Sequence, residues 1–269
     1  MSRRDARRLR QKLLGAIILG IAGVVLGGMA TYYGYRVMTA TKYDEQLCPS
    51  GRVPGVVVVV IDTSDPMSER QTLSIKNFMA ELKRTTPKEH RLDVFNLAAD
   101  QTSVGLPIFS VCNPGDGSDV SRVSGNPERV RATWEQRFSE KVDGAMQRAL
   151  SAGSSTHSPI METIQSVALT SFAKVDASTQ KKLVIISDMI HFTPEYSQYL
   201  PVAGFDAFKR ESAAYLSKVR TSLKGVEVTI AYVRRPTQRN IQGKAHVDFW
   251  DAYFREMGGS VGLIRSVEG

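Results

Sequence analysis

Two aspartates end the two most apolar segments of this 269-residue chain, and a hydroxyl group lies near the first of them. Asp62 follows the run GVVVVVI and precedes Ser64 by two residues, while Asp188 follows KKLVIIS. If both runs are buried parallel strands, their carboxyl ends lie at the same edge of a sheet, where such sheets bind ligands. Clustered carboxylate and hydroxyl oxygens suit Mg²⁺, Mn²⁺ or Ca²⁺ better than Zn²⁺.

A purely structural role for the same residues is the alternative. Asp62 and Asp188 could accept hydrogen bonds from backbone N–H groups where the chain leaves the sheet. The segment SDPMSE also has the composition of a helix start, with Asp65 or Ser68 as the N-cap residue.

The elements that must position these residues alternate along the chain. Strands are predicted over GVVVVVID, RLDVFNLA, GLPIFSVC, KKLVIISDMI, VEVTIAYV and SVGLI, and helices over SERQTLSIKNFMAELKRT, PERVRATWEQRFSEKVDGAMQRAL, SPIMETIQSVALTSFAK, residues 205–223 and HVDFWDAYFREMG. This alternation predicts an α/β fold with a doubly wound, mostly parallel sheet flanked by helices. In the first of these helices, the spacing of Leu73, Phe78, Met79 and Leu82 predicts a shared apolar face.

In order and spacing, the polar residues resemble the von Willebrand factor type A (VWA) family. The metal-ion-dependent adhesion site of that family combines Asp-x-Ser-x-Ser after the first strand, a Thr before a later helix, and an Asp that ends the fourth strand. Here DTSDP supplies Asp62 and Ser64, and VIISDM supplies Asp188. HSPIMETI places Ser158 at the Thr position, with Thr156 as the alternative. The resemblance covers residues 53–264 and implies a VWA/Rossmann-like fold and a divalent cation, Mg²⁺ before Mn²⁺ or Ca²⁺.

The chain departs from the VWA pattern at three positions, which makes its site a degenerate one. Pro66 lies where the second Ser is expected, and proline has neither a side-chain oxygen nor a backbone N–H. Met189 replaces the usual Gly, and Ser158 replaces the Thr. Two hypotheses follow. In one, a bound Mg²⁺ takes an acidic side chain of a partner protein; in the other, the fold is a scaffold that works without metal.

The chain is not expected to be an enzyme. Ser158, Asp188 and His191 are the residue types of a hydrolytic triad, but no Gly-x-Ser-x-Gly motif accompanies them, so a hydrolase is kept only as an alternative. His157 and His191 lack the spacing of zinc ligands, and neither common nucleotide-binding glycine motif follows a strand.

The N-terminal region predicts a membrane anchor. Residues 1–12 contain six basic residues and one acid, which accounts for about five of the eight formal positive charges, so the net charge does not indicate nucleic-acid binding. From Leu13 to Tyr35 there is no formal charge over 23 residues, enough for a helix of about 34 Å against a hydrocarbon core of about 30 Å. The positive-inside rule places the basic tail in the cytoplasm. A cleaved signal peptide is the alternative.

The predicted organisation therefore has four parts: a basic cytoplasmic tail (residues 1–12), a transmembrane helix (13–35), a polar tether (36–52) and a VWA-like domain (53–269). Cys48 and Cys112 would lie in an oxidising compartment, where we expect a disulfide, although two unrelated apolar residues are the alternative. Gly23 and Gly27 have a small-xxx-small spacing that would permit self-association of the helix.

Two further segments have partner-binding compositions. Tyr232 to Lys244 contains four basic residues and no acid, so it is either a solvated loop or a contact for an acidic partner or anionic headgroups. His191 to Phe208 contains two Tyr and three Phe, and serves either as an interface or as packing over the sheet end. The leading hypothesis is a single-pass protein of the inner (cell) membrane whose domain faces the periplasm or exterior and binds another protein within an envelope assembly.

Overall fold

The computed structural model describes residues 3–39, 41–97, 105–122, 125–151, 155–199 and 204–269. The chain divides into two compact units, Met1–Lys42 and Tyr43–Gly269. The division lies within the predicted tether.

The described part of the first unit contains one helix, α1 (Arg3–Thr39). Within it, Lys12–Thr39 is long and apolar enough to cross a membrane, and it is the one such helix among the described residues. Its large apolar side chains are exposed; Leu19 and Val24, for example, are 75% and 76% exposed. A free helix with this surface in water would be unfavourable, because such an area of apolar side chain is normally buried.

The second unit is an α/β structure whose strands and helices alternate as predicted. The strands are β1 (Gly55–Ile61), β2 (Arg91–Asn96), β3 (Phe109–Cys112), β4 (Gln180–Ser187), β5 (Val226–Val233) and β6 (Ser260–Val267). The helices are α2 (Glu69–Thr85), α3 (Pro127–Trp134), α4 (Glu140–Leu150), α5 (Ile160–Val167), α6 (Phe205–Glu211), α7 (Ala213–Val219) and α8 (Lys244–Glu256).

The sheet has the strand order β3-β2-β1-β4-β5-β6, and only the β2–β3 pair is antiparallel among the described strands. The predicted doubly wound, mostly parallel fold is therefore confirmed. The direction of winding reverses between β1 and β4, which pair in parallel from Gly55 with Gln180 to Ile61 with Ile186. Sheets of this kind bind ligands in the crevice at such a switch point, and β1 and β4 end there side by side.

The run of valines in β1 is apolar throughout because both faces of the strand are covered. Val56, Val58 and Val60 belong to a core shared with α5, α7 and α8. Their neighbours Val57, Val59 and Ile61 belong to a second core shared with α2 and α4. Alternate side chains of a strand point to opposite faces, so a central strand needs an apolar residue at every position.

Two helices, α2 and α3, begin where the sequence predicts. Ser68 is the N-cap of α2: its hydroxyl accepts the Gln71 N–H at 3.2 Å, and the Gln71 side chain accepts the Ser68 N–H. Pro127 is the first residue of α3. The predicted apolar face of α2 was wrong at Leu73, which is 60% exposed, because Ile75 occupies that buried position instead.

Two of the predicted continuous helices contain a local change of winding, and a third is divided. Glu135–Ser139, between α3 and α4, and Ala168–Phe172, after α5, are π-helical turns. The helix predicted over residues 205–223 is divided at Ser212, whose φ of −119° and ψ of 34° are not helical. A single residue outside the helical region is enough to change the direction of the chain there.

A disulfide joins Cys48 to Cys112, as predicted, and connects the entry of the globular unit to the last residue of β3. Beside it, the Cys112 N–H donates to the carbonyl of Gln46 at 2.9 Å, and the side chain of Leu47 is buried. The segment before β1 is therefore packed against the edge of the sheet.

We expect this disulfide to be a main source of stability for the globular unit. It closes a loop with a sequence separation of 64 residues, and the chain-entropy estimate for such a loop is about 4 kcal/mol. The full chain in detergent, unfolded with urea and followed by Trp fluorescence, should lose about that free energy in the variant Cys48→Ser/Cys112→Ser. Reductant should destabilise the wild-type chain but leave this double variant unchanged, and an equal effect on both would contradict the prediction.

Candidate functional site

Asp62 lies directly after β1 and is the centre of a cluster of hydroxyl groups. Its Oδ1 accepts the Ser64 N–H at 3.0 Å and the Ser64 hydroxyl at 2.6 Å. Its Oδ2 accepts the hydroxyls of Ser187 at 2.6 Å and Ser158 at 3.3 Å. The carboxylate is buried, with 2% of the residue exposed. Two of the predicted site residues, Ser64 and Ser158, are therefore in direct contact with a third, Asp62.

Asp188 lies directly after β4 and is equally buried. Its Oδ1 accepts the Ile190 N–H at 2.9 Å, and its Oδ2 accepts the Arg235 Nε–H at 2.9 Å. Burial, followed by the negative charge of Asp62, raises the pKa of Asp188 to about 7, and the guanidinium of Arg235 opposes this rise. The two aspartates are thus close enough for the charge of Asp62 to act on Asp188.

Thr156, the alternative to Ser158, is placed differently. It is exposed, and its hydroxyl contacts the Nδ1 of the adjacent His157 at 3.0 Å. Ser158 is instead tied to the loop after β4 by backbone hydrogen bonds in both directions with Phe192. Of the two hydroxyls, only that of Ser158 reaches Asp62 in the described part of the chain.

Sequence reasoning missed three members of the site. The Ser187 hydroxyl accepts the Met189 N–H at 2.7 Å in addition to its bond with Asp62. The Gln242 side-chain N–H donates to the carbonyls of Asp188 at 3.0 Å and Val233 at 2.8 Å. For Ser187, the signal was its position next to Asp188 at a strand end. For Gln242, no local pattern marks it.

The third missed residue, Arg235, lies in the basic segment that follows β5. Its side chain is only 11% exposed, and besides Asp188 it donates to the backbone carbonyls of Pro66 and, at 3.2 Å, Asp65. The Arg235 N–H also donates to the Gln242 side chain at 2.6 Å. At this residue, the interpretation of the segment as a solvated loop is wrong, because β5 pairs with β4 and carries Arg235 to the carboxylate.

The backbone conformation at Met189 is one that favours glycine. Its φ is +62°, a left-handed conformation that glycine adopts without steric cost. The side chain of Met189 is fully buried, and its carbonyl accepts the Trp250 indole N–H at 2.8 Å. Packing and this hydrogen bond hold the turn in a conformation that costs a non-glycine residue about 1–2 kcal/mol.

The oxygen atoms of the site are of the type that binds a hard cation, but in this arrangement they do not fit one. Each of the four carboxylate oxygens of Asp62 and Asp188 already accepts a hydrogen bond from the chain. The guanidinium of Arg235 provides the positive charge beside Asp188. Among the described residues, no group of three or more His, Cys, Asp or Glu could hold a metal ion. The divalent cation therefore stays a prediction from the resemblance.

The histidines and the serine that are candidates for hydrolysis or zinc binding contact other groups instead. His191 is fully buried, its Nε2 lies 2.7 Å from the Tyr215 hydroxyl, and that hydroxyl donates to Glu162 at 2.6 Å. His157 stacks on the ring of Phe192, with the ring centres 5.7 Å apart. The hydroxyl of Ser158 points to Asp62, so these contacts provide no base for a serine nucleophile.

The aromatic segment after Asp188 serves mainly to pack over the sheet end. The rings of Tyr196 and Phe208 lie 4.5 Å apart, and Phe205 and Phe208 are buried in the core. Tyr199 differs because it is 42% exposed. Burial, then the charges of Asp65 and Asp188, raises the pKa of Tyr199 to about 12. Residues 200–203 of the segment lie outside the described residues.

Comparison with known proteins adds structural similarity alone. No protein-family model matches the chain, and no curated protein matches it. One solved structure that matches is "The crystal structure of an aerotolerance-related membrane protein from Bacteroides fragilis NCTC 9343 with multiple mutations to serines". The two chains are 13% identical over 79% of this chain and 91% of that chain, with a TM-score of 0.33. A match at this level assigns neither a family nor a function.

Two buried histidines beneath the site should make stability depend on pH. Burial lowers the pKa of His191 to about 3 and that of His246 to about 4, so both are neutral in the folded chain. Below the ordinary histidine pKa of about 6.5, only the unfolded chain takes up these protons. The stabilising contribution of each histidine is therefore complete above that pH and falls by about 2 kcal/mol at pH 5.

The test compares urea unfolding of the full chain at pH 7.5 and pH 5, in wild type and in His191→Gln and His246→Gln. The raised pKa of Asp188 acts in the opposite direction, but it does so in all three chains, so the difference between chains isolates each histidine. Each variant should lose about 2 kcal/mol less than wild type between the two pH values. An identical loss in all three chains would refute the assignment.

Proposed function

We propose that this chain is a membrane-anchored, VWA-like interaction module that binds an acidic protein partner through the rim of its sheet. The rim is defined here as residues 62–68, 188–199 and 234–243, the loops that follow β1, β4 and β5. The observation that carries the proposal is that these three loops are joined over one buried charged site, with Tyr199 exposed beside it. Fixed loops at the carboxyl ends of parallel strands are the usual binding surface of such a fold.

The anchor is proposed to be α1. Its span Lys12–Thr39 has sufficient length and apolar character, and the basic residues of the chain concentrate before it. By the positive-inside rule, the N-terminus lies in the cytoplasm and the globular unit on the other side of the inner (cell) membrane. The Cys48–Cys112 disulfide supports this orientation, because disulfides persist in the periplasm and outside the cell.

An acidic partner is favoured by the arginines on one side of the rim. Arg234, Arg235 and Arg239 line a groove of 370 Å³ together with Gln242 and the C-terminal residues Glu268 and Gly269. Arg239 is exposed, so its charge is accessible to a partner carboxylate. Arginine and tyrosine are enriched in protein interfaces, since both combine a large contact area with hydrogen-bond donors.

The proposed binding does not require a metal. The contacts of Arg235 favour the metal-independent form of the hypothesis, and Mg²⁺ dependence stays a prediction from the family resemblance. A purely structural scaffold, with docking through α1 or self-association at Gly23 and Gly27, would use the same fold without the rim. We assign no catalytic role to the chain.

The partner-binding proposal is tested by co-purification of the full chain in mild detergent, with bound proteins identified by mass spectrometry. Tyr199→Ala and Arg239→Glu should reduce recovery of the specific partner about tenfold each, which corresponds to about 1.4 kcal/mol. Leu73→Ala is the matched control, since Leu73 is exposed on α2, outside the rim.

Recovery should be unchanged in EDTA. Loss of the partner in EDTA would restore the metal-dependent hypothesis, and equal recovery by the rim variants and wild type would favour the scaffold.

The proposed orientation is tested separately with reporter fusions. Alkaline phosphatase, which becomes active only outside the bacterial cytoplasm, should be active when fused after Gly269, and the chain should remain in the membrane after a high-salt wash. A fluorescent reporter that folds only in the cytoplasm should be dark at the same position. The reverse pattern would place the globular unit in the cytoplasm and remove the argument from the disulfide.

A further inference from the structure

The buried pair Asp62 and Asp188 requires a counter-charge. Both residues are 2% exposed, and the negative charge of one acts on the other. Removing two carboxylates from water is unfavourable unless a positive charge and hydrogen-bond donors compensate them. The hydroxyls of Ser64, Ser158 and Ser187 satisfy the oxygens of Asp62, but they carry no charge.

Arg235 supplies that charge from within the chain. Its Nε donates to Asp188, and its two terminal nitrogens donate to the carbonyls of Pro66 and Asp65. All three nitrogens of the guanidinium are therefore directed at oxygens. Two of these oxygens belong to the loop after β1, and one belongs to Asp188, directly after β4. Carboxylate and carbonyl oxygens converging in this way are also the ligands of hard cations.

Pro66 is compatible with this arrangement, because the contact with Arg235 uses its backbone carbonyl and needs no side-chain hydroxyl. Proline has no side-chain oxygen to bind a metal, but its carbonyl remains free to accept a hydrogen bond, and here it accepts one from Arg235. A guanidinium is planar with fixed donor directions, so it can bridge a carboxylate and two carbonyls that a lysine ammonium would meet only as a point charge.

We propose that Arg235 is the resident cation of this site: its guanidinium occupies the role of a divalent metal and prevents one from binding. The corollary is a latent metal site. Without the charge of Arg235, the oxygens of Asp62, Ser64, Ser158 and Asp188 should bind Mn²⁺ or Mg²⁺. This inference concerns the interior of the site and does not depend on whether the rim binds a partner.

The experiment uses the full chain in detergent and Mn²⁺ alone as the probe. Binding is followed by the electron paramagnetic resonance signal of free Mn²⁺, and stability by the thermal unfolding midpoint. The variants are Arg235→Met, which keeps an unbranched side chain without charge, and Arg235→Met/Asp188→Asn, which also removes one carboxylate. Arg265→Met is the matched control, because Arg265 is an arginine that pairs with a carboxylate, Glu81, outside the rim.

Wild type and Arg265→Met should show no saturable Mn²⁺ binding with a Kd below about 1 mM, and no change of midpoint on Mn²⁺ addition. Arg235→Met should bind one Mn²⁺ at least about tenfold more tightly than that limit and gain thermal stability with it. The double variant should lose this binding and should fold without metal, because its buried negative charge has been reduced.

Three outcomes would overturn the proposal. The first is saturable Mn²⁺ binding by the wild-type chain that Asp188→Asn abolishes, since the site would then accept a metal beside Arg235. The second is an Arg235→Met chain that folds but binds no Mn²⁺. The third is an Arg235→Met chain that does not fold with or without Mn²⁺, since a divalent cation then cannot replace the guanidinium. A variant that folds only when Mn²⁺ is present would support the proposal strongly.

Discussion

The arrangement of the rim depends on the buried ion pair between Asp188 and Arg235. Its carboxylate belongs to the end of β4, its guanidinium to the loop after β5, and the same guanidinium reaches the carbonyls of the loop after β1. Breaking a buried pair by removing one partner costs about 3–5 kcal/mol, because the other charge is left uncompensated. One side chain therefore couples three loops that are distant in sequence. Displacement of any of these loops from Arg235 would weaken contacts of a buried charge, which is unfavourable.

This coupling is possible because the order of the strands brings the right ends together. The winding reverses between β1 and β4, so Asp62 and the residues that end β4 meet with no helix between them, and β5 lies on the other side of β4. The valines of β1 contribute to both cores, which fixes the height and direction of the strand that carries Asp62. The apolar run packs β1 on both faces, and this packing holds the carboxylate of Asp62 at a constant position in the crevice.

Much of the fold was predictable because its signals are local. Alternating strand and helix patterns, Pro127 at a helix start and Ser68 as a cap each depend on a few neighbouring residues, and the disulfide follows from compartment and cysteine count. The contacts of Arg235 were not predictable, because they require the β4–β5 pairing and one conformation of a long side chain. The exposure of Leu73 and the π-helical turns were missed for a related reason: they depend on which side chains of the opposing elements fill the space, and spacing along one helix does not contain that information.

Two departures from the adhesion-site pattern, Met189 and Pro66, are accommodated in different ways. Met189 keeps the left-handed turn that glycine would adopt freely; its fully buried side chain and the Trp250 hydrogen bond to its carbonyl offset the steric cost. Pro66 cannot offer a hydroxyl, but its carbonyl becomes an acceptor for Arg235. Met189 keeps the left-handed backbone of the turn, while Pro66 removes a side-chain oxygen and leaves its backbone carbonyl as the acceptor for Arg235. Of the oxygens predicted to bind a metal, the guanidinium contacts one directly, that of Asp188, and its other two contacts are backbone carbonyls of the loop after β1. The positive charge at this carboxylate therefore comes from a side chain of the chain itself.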